Sequence, residues 1–432
     1  MYSSDSERDR DDTDGRFREV NRDRLVLASV VFAVLFSQLL LYPGVSTLVE
    51  ALGADATDSA FAATPLDASM WFLVAEFAAY VAFVGVWGVA SDVAGRRTPF
   101  IVASALAGAV GYAALAVAPS VGGGVSFETV LLLRVVQGAM TIGAFSLTMT
   151  MLMDLEGGHG RNMGAAGIAI GLGAALGAPI GGQLTTVDPL APLVAAAVLL
   201  VCVGGLVSLV PDRAPSDRRT ARAVLSGVRR TPALTIPFAF GLIDRLTAGF
   251  FALVGTLYFQ DTFGLDPAAT GLLLACFFAP FALLQYPMGA LSDRIGRVPP
   301  IVVGSICYGF GIVAVGAAPT VATAALAMIA VGVLGALVSP ATMALVTDLA
   351  ADGERGIAMA GFNVAGSVGF LAGFLVGGTV AGTYGYDVAF LAVGGLEIAI
   401  AIVAVPAFLR LSIDRSARFS LEIDGEPDDG ET

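Results

Sequence analysis

A chain of 432 residues that is 56% hydrophobic and 14% charged, with a mean hydropathy of +0.82, is too apolar for an ordinary soluble domain. Its net charge of −13 speaks against nucleic acid as a partner, because no basic patch stands apart from the arginines that flank the apolar runs. Three scattered cysteines and one histidine leave no metal cluster to assemble, and no cofactor is expected.

Residues 1–23 carry dense charge and few apolar side chains, so they are expected to be disordered. They contain no apolar stretch with a small-residue cleavage site, and the first apolar run therefore reads as a retained anchor. Twelve apolar runs lie near 25–48, 69–90, 98–118, 128–153, 163–185, 191–211, 233–259, 268–291, 299–318, 321–347, 357–381 and 387–409. A hydrocarbon core of about 30 Å takes roughly 20 helical residues to cross. Lipid offers no partner to backbone groups, so transmembrane helices are the reading. The polar, proline-broken stretch 211–231 divides them into a bundle of six helices over 24–210 and another over 232–410. A second disordered tail is expected over 411–432.

The chain has no lysine, and all 23 basic residues are arginine. Arg134 and Arg245 fall inside apolar runs; the others lie in the tails, the 211–231 stretch and the alternate loops on one side. That bias places both termini in the cytoplasm of a multi-pass plasma-membrane protein. The acidic, lysine-free surface is similar to that of proteins from salt-loving organisms, where carboxylates hold hydration. Cys202, Cys276 and Cys307 sit within apolar runs and read as small buried hydrophobes. His159 falls in a cytoplasmic turn.

After the second run the chain reads Gly88-Val-Ala-Ser-Asp92-Val-Ala-Gly95-Arg96-Arg97, and after the eighth Gly289-Ala-Leu-Ser-Asp293-Arg294-Ile-Gly296-Arg297. The duplication extends further: Asp154, Arg161 and Gly167 are followed at one constant offset by Asp348, Arg355 and Gly361. An internal repeat between hydrophobic helices is how secondary transporters are built.

With these features the chain resembles the major facilitator superfamily over residues 24–410. The family's loop signature is Gly-x-x-x-Asp-Arg-x-Gly-Arg-Arg; the second copy keeps Asp293, Arg294, Gly296 and Arg297, while the first has Val93 in place of its first arginine. Arg134-Val-Val-Gln137-Gly138 matches an Arg-x-x-Gln-Gly motif of the fourth helix. Gly171-x-Gly173-x-x-x-Gly177-Ala-Pro179-Ile-Gly181-Gly182 is close to the helix-five motif of proton-driven exporters, with Ala178 interrupting the Gly-Pro pair.

The resemblance implies an all-α fold of two pseudo-symmetric six-helix bundles, and it assigns roles. Asp92 would face the N-terminus of helix eleven near Gly356, and Arg96 or Arg97 would pair with Asp154, with Asp293, Arg297 and Asp348 as the mirror set. Together these contacts would close the cytoplasmic side. Arg134 would serve proton coupling, with Gln137 at i+3 on the same face. A charge inside a membrane helix costs about 2.5–3.5 kcal/mol, so Arg134 must face the bundle interior and find a partner.

Three membrane acids remain: Glu76, one turn before Tyr80; Asp244, in a helix that lines the family's cavity; and Glu397, in a peripheral helix and expected to make a local interhelical hydrogen bond. Asp244 is the first candidate for the proton or substrate-charge site, with Glu76 behind it. Arg245 points about 100° away from Asp244 and is not assumed to pair with it. Gln38, Tyr42, Gln285 and Asn363 are candidates for cavity lining. Phe250, Phe251, Phe277, Phe278 and Phe281 could line an apolar pocket but are expected more often to face lipid.

The function expected is alternating-access transport, with proton-coupled export of small amphipathic or hydrophobic compounds ahead of proton- or sodium-coupled uptake of an organic anion or other metabolite. The partners expected are the substrate, the coupling ion and lipid, with the protein working as a monomer. An enzyme would need a nucleophile, metal or acid–base cluster at one membrane depth, and none is legible.

Overall fold

The computed structural model describes residues 4–53, 59, 61–121, 125–156, 159–212, 231–350 and 355–423, and the described secondary structure is entirely helical. In chain order the long helices are α1 (Ser4–Leu39), α2 (Pro65–Ala94), α3 (Thr98–Val117), α4 (Phe127–Met153), α5 (His159–Val187) and α6 (Ala191–Val207). Then come α7 (Thr235–Phe250, continued by a π-helical turn Phe251–Gly255 and by Thr256–Phe263), α8 (Pro267–Ile295), α9 (Val298–Gly316), α10 (Val321–Leu349), α11 (Arg355–Tyr384) and α12 (Tyr386–Ile423). Ten of them are long and apolar enough to cross a membrane; the apolar end of α1 and the shorter α6 fill the two remaining places. A short helix, Val45–Ala51, follows α1.

Local chemistry sets these boundaries. Thr64, Ser126 and Asp266 cap α2, α4 and α8 by accepting a backbone N–H from Asp67, Thr129 and Ala269, and Thr320 and Thr323 form a capping box at α10. The repeated glycines terminate helices: Gly95 ends α2 at φ +63° and Gly296 ends α8 at φ +89°. Only a residue without Cβ takes that conformation at little cost, which accounts for the duplicated Gly spacing.

Three expectations change. Helix α1 begins at Ser4 and α12 runs to Ile423, so helix extends into the stretches 1–23 and 411–432 expected to be disordered. Cys202 and Cys307 are exposed and Cys276 half-buried, not core residues, because the outer face of a membrane helix meets lipid and accepts apolar side chains. Phe250, Phe251 and Phe277 are buried in an aromatic core with Phe390 rather than turned to lipid. Most of the 211–231 linker, and the side chains of His159 and Arg161, lie outside the described residues.

Within the first six helices α4 packs on α2 and α3, and α3 on α6; in the second six α10 packs on α8 and α9, and α9 on α12. Two helices join the halves: α5 packs on both α1 and α8, and α11 on both α7 and α2. Their glycines make this possible. Gly173, Gly177 and Gly181 lie against Phe32, Phe36, Leu39 and Leu40 of α1 and its end, while a Cβ on Gly182 would collide with the Pro267 carbonyl of α8. On α11, Gly369 and Gly373 meet the Leu242 and Leu246 carbonyls of α7, and Gly378 meets Met70 of α2.

These cross-half contacts gather at one face. Phe77 of α2 stacks on Phe370 of α11 at 4.4 Å between ring centroids. Beyond them, Ser46 Oγ donates to Gln260 Oε1 at 2.8 Å, and Gln260 Nε2 donates to the Pro43 carbonyl at 2.6 Å. Toward the arginine-bearing face α2 and α5 are free of such contacts: a Cβ at Gly85, Gly88, Gly164 or Gly167 would meet nothing within 4 Å. Tyr286, in that end of α8, is 88% exposed. The two bundles converge on one face and splay on the other.

Candidate functional site

Arg134 is completely buried on α4 and has found its partner: Nη2 donates to Glu76 Oε2 of α2 at 2.6 Å. Gln137, one turn along α4, accepts from Arg134 Nη1 at 2.6 Å and donates to Glu76 Oε1 at 3.2 Å. The same carboxylate oxygen accepts from the Tyr80 hydroxyl at 2.9 Å and from Tyr112 of α3 at 3.2 Å. Gln38 of α1 donates in turn to the Tyr80 oxygen, and Thr141 takes the second amide proton of Gln137 at 2.9 Å. Phe72 lies 4.4 Å beneath the guanidinium, a cation–π contact that covers its face.

A buried ion pair survives only where its remaining donors and acceptors are also matched. Here one carboxylate accepts four donors from three helices, and a single guanidinium nitrogen, Nε, is left without a partner among the described residues. Gly138 completes the sequence motif physically: a Cβ there would lie 2.8 Å from the Glu76 carbonyl, so the glycine lets α2 approach α4 at the depth of the pair.

An aromatic layer separates this network from α11. Phe77 packs on Tyr80 at 5.2 Å, stacks on Phe370 and meets Phe374 edge-on; Tyr42, which is buried, also meets Phe374 edge-on. Sequence reasoning set Glu76 with Tyr80 and Arg134 with Gln137 and named Gln38 and Tyr42, but did not join these pairs, and it missed Tyr112, Thr141, Phe72 and the Phe77–Phe370 stack. A tyrosine within an apolar run carries a hydroxyl that needs a partner, and that was the available signal for Tyr112.

The second half holds a separate polar group. Asp244 of α7 is buried and makes no hydrogen bond or ion pair among the described residues. Arg245 beside it is exposed and unbonded, its stem lying against Gly366 of α11. Glu397 is buried and lies against Ser305 of α9, the neighbour for the local interhelical hydrogen bond expected of it; its Oε2 has no well-aligned partner among the described residues. Asn363 is exposed and Gln285 half-buried, and neither joins the Glu76 network.

On the splayed face the repeated loops resolve differently. Arg97, not Arg96, reaches Asp154 at 2.6 Å, and Arg97 is nearly buried. Asp212 locks the same corner by accepting from the Arg97 and Thr98 amides at 2.8 and 3.3 Å. In the second copy Arg297 binds Asp348 at 3.1 Å, Ser292 at 2.8 Å and also Asp293. Burial alone would lower the Arg297 pKa, but the two carboxylates outweigh it and hold it above the usual arginine value. The Asp92 carboxylate makes no hydrogen bond or ion pair among the described residues, and Arg96 and Arg294 are likewise unbonded there. The side chains at the start of α11 near Gly356, which Asp92 is expected to face, lie outside the described residues.

Comparison with known proteins agrees with this geometry. The Major Facilitator Superfamily profile matches residues 27–255 and 238–424. Among characterised sequences, the class G tetracycline resistance protein of Vibrio anguillarum is 29% identical over 54% of this chain and 60% of its own length. The class D protein of Salmonella ordonez is 28% identical over 52% and 58%. The chain thus spans three-fifths or less of the relatives it matches. Among solved structures, the human organic anion transporter MFSD10 (TETRAN) superposes with a TM-score of 0.66 at 20% identity, covering 89% of this chain and 99% of that one. The D-xylose–proton symporter gives 0.70 at 14% identity, covering 88% and 96%; at these identities the likeness concerns the fold.

Proposed function

The chain belongs to the major facilitator superfamily, a family of transporters and not enzymes, and from that premise we propose that it exports small amphipathic or hydrophobic compounds in exchange for protons. The observation that carries this reading is the Glu76–Arg134 pair: a carboxylate placed to take a proton, enclosed by donors from α2, α3 and α4 and covered by the aromatic layer. In the conformation described, the face bearing the layer is closed. When α11 and α7 move away from α2 and α1, the layer parts, the Glu76 network meets the outer medium and the carboxylate is protonated there. Closure returns the carboxyl group to its enclosed position beside Arg134.

The 21 arginines in tails and loops support a cytoplasmic location for the splayed face and both termini, and with it an inward-facing conformation. The Arg97–Asp154 and Arg297–Asp348 pairs stiffen the cytoplasmic ends of each bundle. Asp92 engages α11 only when that face shuts. The likeness to two tetracycline resistance proteins supports export, since moving a toxic compound outward is how a transporter confers resistance.

One observation favours a second reading, uptake of an organic anion. Arg245 is an exposed guanidinium within a membrane helix that makes no hydrogen bond or ion pair among the described residues, which fits a carboxylate or sulfonate group on a substrate. Proteoliposomes holding a pH-sensitive dye, challenged with lipophilic cations and with organic anions, separate the two. Substrate-driven proton movement with the lipophilic compounds, lost in Glu76→Gln, supports export. Movement with anions alone, lost in Arg245→Gln, rejects it.

A further inference from the structure

We propose that Asp244, Glu397, Ser305 and Tyr308 form a binding site for one small monovalent cation, a proton or a sodium ion, inside the second bundle and apart from the Glu76 network. These side chains come from α7, α12 and α9, and all four are nine-tenths or more buried. Helix α12 packs on both α9 and α7, which brings Glu397 to the level of Ser305, Tyr308 and Asp244 and within electrostatic reach of them.

The layer is sealed. One turn toward the arginine face on each helix stand Phe240, Ile301 and Ala401, which belong to a single buried apolar cluster with Leu345 and Phe408. One turn the other way α9 and α12 touch backbone to backbone: a Cβ on Gly309 or on Gly394 would lie 2.5 or 2.6 Å from the other's carbonyl oxygen.

Two features show that this polar layer is incomplete by itself. Glu397 Oε2 and Ser305 Oγ, both buried, have no well-aligned hydrogen-bond partner among the described residues. Among the described residues no guanidinium is hydrogen-bonded or ion-paired to either acid: Arg245 acts on Asp244 only through space, and it is exposed with its stem against Gly366 of α11. The first bundle balances its buried Glu76 with Arg134, whereas the second has two carboxyl groups and no bonded countercharge. A buried acid pair of that kind is costly while ionised, and a proton or cation between its oxygens removes the cost. With a serine and a tyrosine hydroxyl added, the donors are all oxygen, as a proton or a hard alkali cation requires.

The test uses the purified full-length protein in sodium-free detergent near neutral pH, with infrared spectra of wild type minus Glu397→Gln and thermal unfolding recorded before and after addition of sodium chloride, and choline chloride as control. For a proton, wild type shows a protonated-carboxyl band that is absent in Glu397→Gln, and sodium changes nothing. For sodium, the salt but not choline raises the melting temperature and releases protons, and Glu397→Gln abolishes both effects. Identical behaviour of wild type and variant in every readout overturns the proposal. Should Glu397→Gln fail to fold, Ser305→Ala keeps both acids: a shifted band or weakened sodium effect supports the site, and an unchanged one rejects it.

Discussion

Arg134 and Glu76, 58 residues apart in the chain, meet at 2.6 Å with neither side chain more than 1% exposed. Removing one member of a buried pair leaves an uncompensated charge, which costs about 3–5 kcal/mol. Glu76→Gln is therefore expected to lower stability by that order and abolish proton-driven transport. The double variant Glu76→Gln with Arg134→Met should recover most of the stability and none of the coupling. Unfolding in detergent and dye-monitored flux check both arms; a double variant as unstable as the single one would sink the account.

The two copies of the signature loop should differ in energetic weight. Arg97 is 4% exposed and ion-paired to Asp154, while Arg297 is 22% exposed with Asp293 and Asp348 more open still. Charge-assisted bonds of enclosed groups are worth about 1.5–3 kcal/mol and open pairs about 0–1 kcal/mol. Arg97→Ala should accordingly destabilise more than Arg297→Ala, and Arg97→Asp with Asp154→Arg should restore part of the loss. Equal melting shifts for the two alanine variants would contradict this ordering.

Helix α5 has no room for a side chain where it crosses into the second bundle. A Cβ on Gly182 runs into the Pro267 carbonyl, and one on Gly181 into the Leu40 carbonyl. Gly182→Val should hold the two bundles apart on the closed face and stop transport, yet leave a folded protein, because each bundle keeps its own core. Wild-type transport by this variant would show that the helices separate more easily than their packing implies.

Closure of that face can be trapped chemically. Ser46 and Gln260 are hydrogen-bonded across the halves at 2.8 Å. In a background with Cys202, Cys276 and Cys307 changed to alanine, cysteines at 46 and 260 are expected to cross-link and to halt transport until reduced. A cross-linked protein that transports normally would refute alternation at this contact.

The aromatic layer makes a prediction about leakage. Phe77 packs on Tyr80, Phe370 and Phe374, and cutting a packed phenylalanine to alanine costs about 3–5 kcal/mol. Phe77→Ala should weaken closure and give substrate-independent proton leak. A tight, fully coupled variant would remove the layer from the mechanism.

Much of this protein is decided by sequence alone, and the reason is the solvent. Lipid forces every span to satisfy its own backbone, so apolar runs become helices and arginines mark one face. The duplicated glycines likewise announce their left-handed helix ends before any coordinates are known. Arg134 declares that it needs a partner because a lone charge cannot stay in that medium.

Which partner it takes is another matter, since a contact between α2 and α4 depends on helix rotation and depth that no local pattern encodes. For that reason Asp244 looked the stronger acid in sequence, while tertiary packing gave the arginine to Glu76 and left Asp244 beside Glu397 without a bonded countercharge. The same holds for the exposed cysteines, for Arg97 over Arg96, and for which face of the two bundles is shut. Each follows from how rigid helices settle against one another, and only the assembled structure contains that relation.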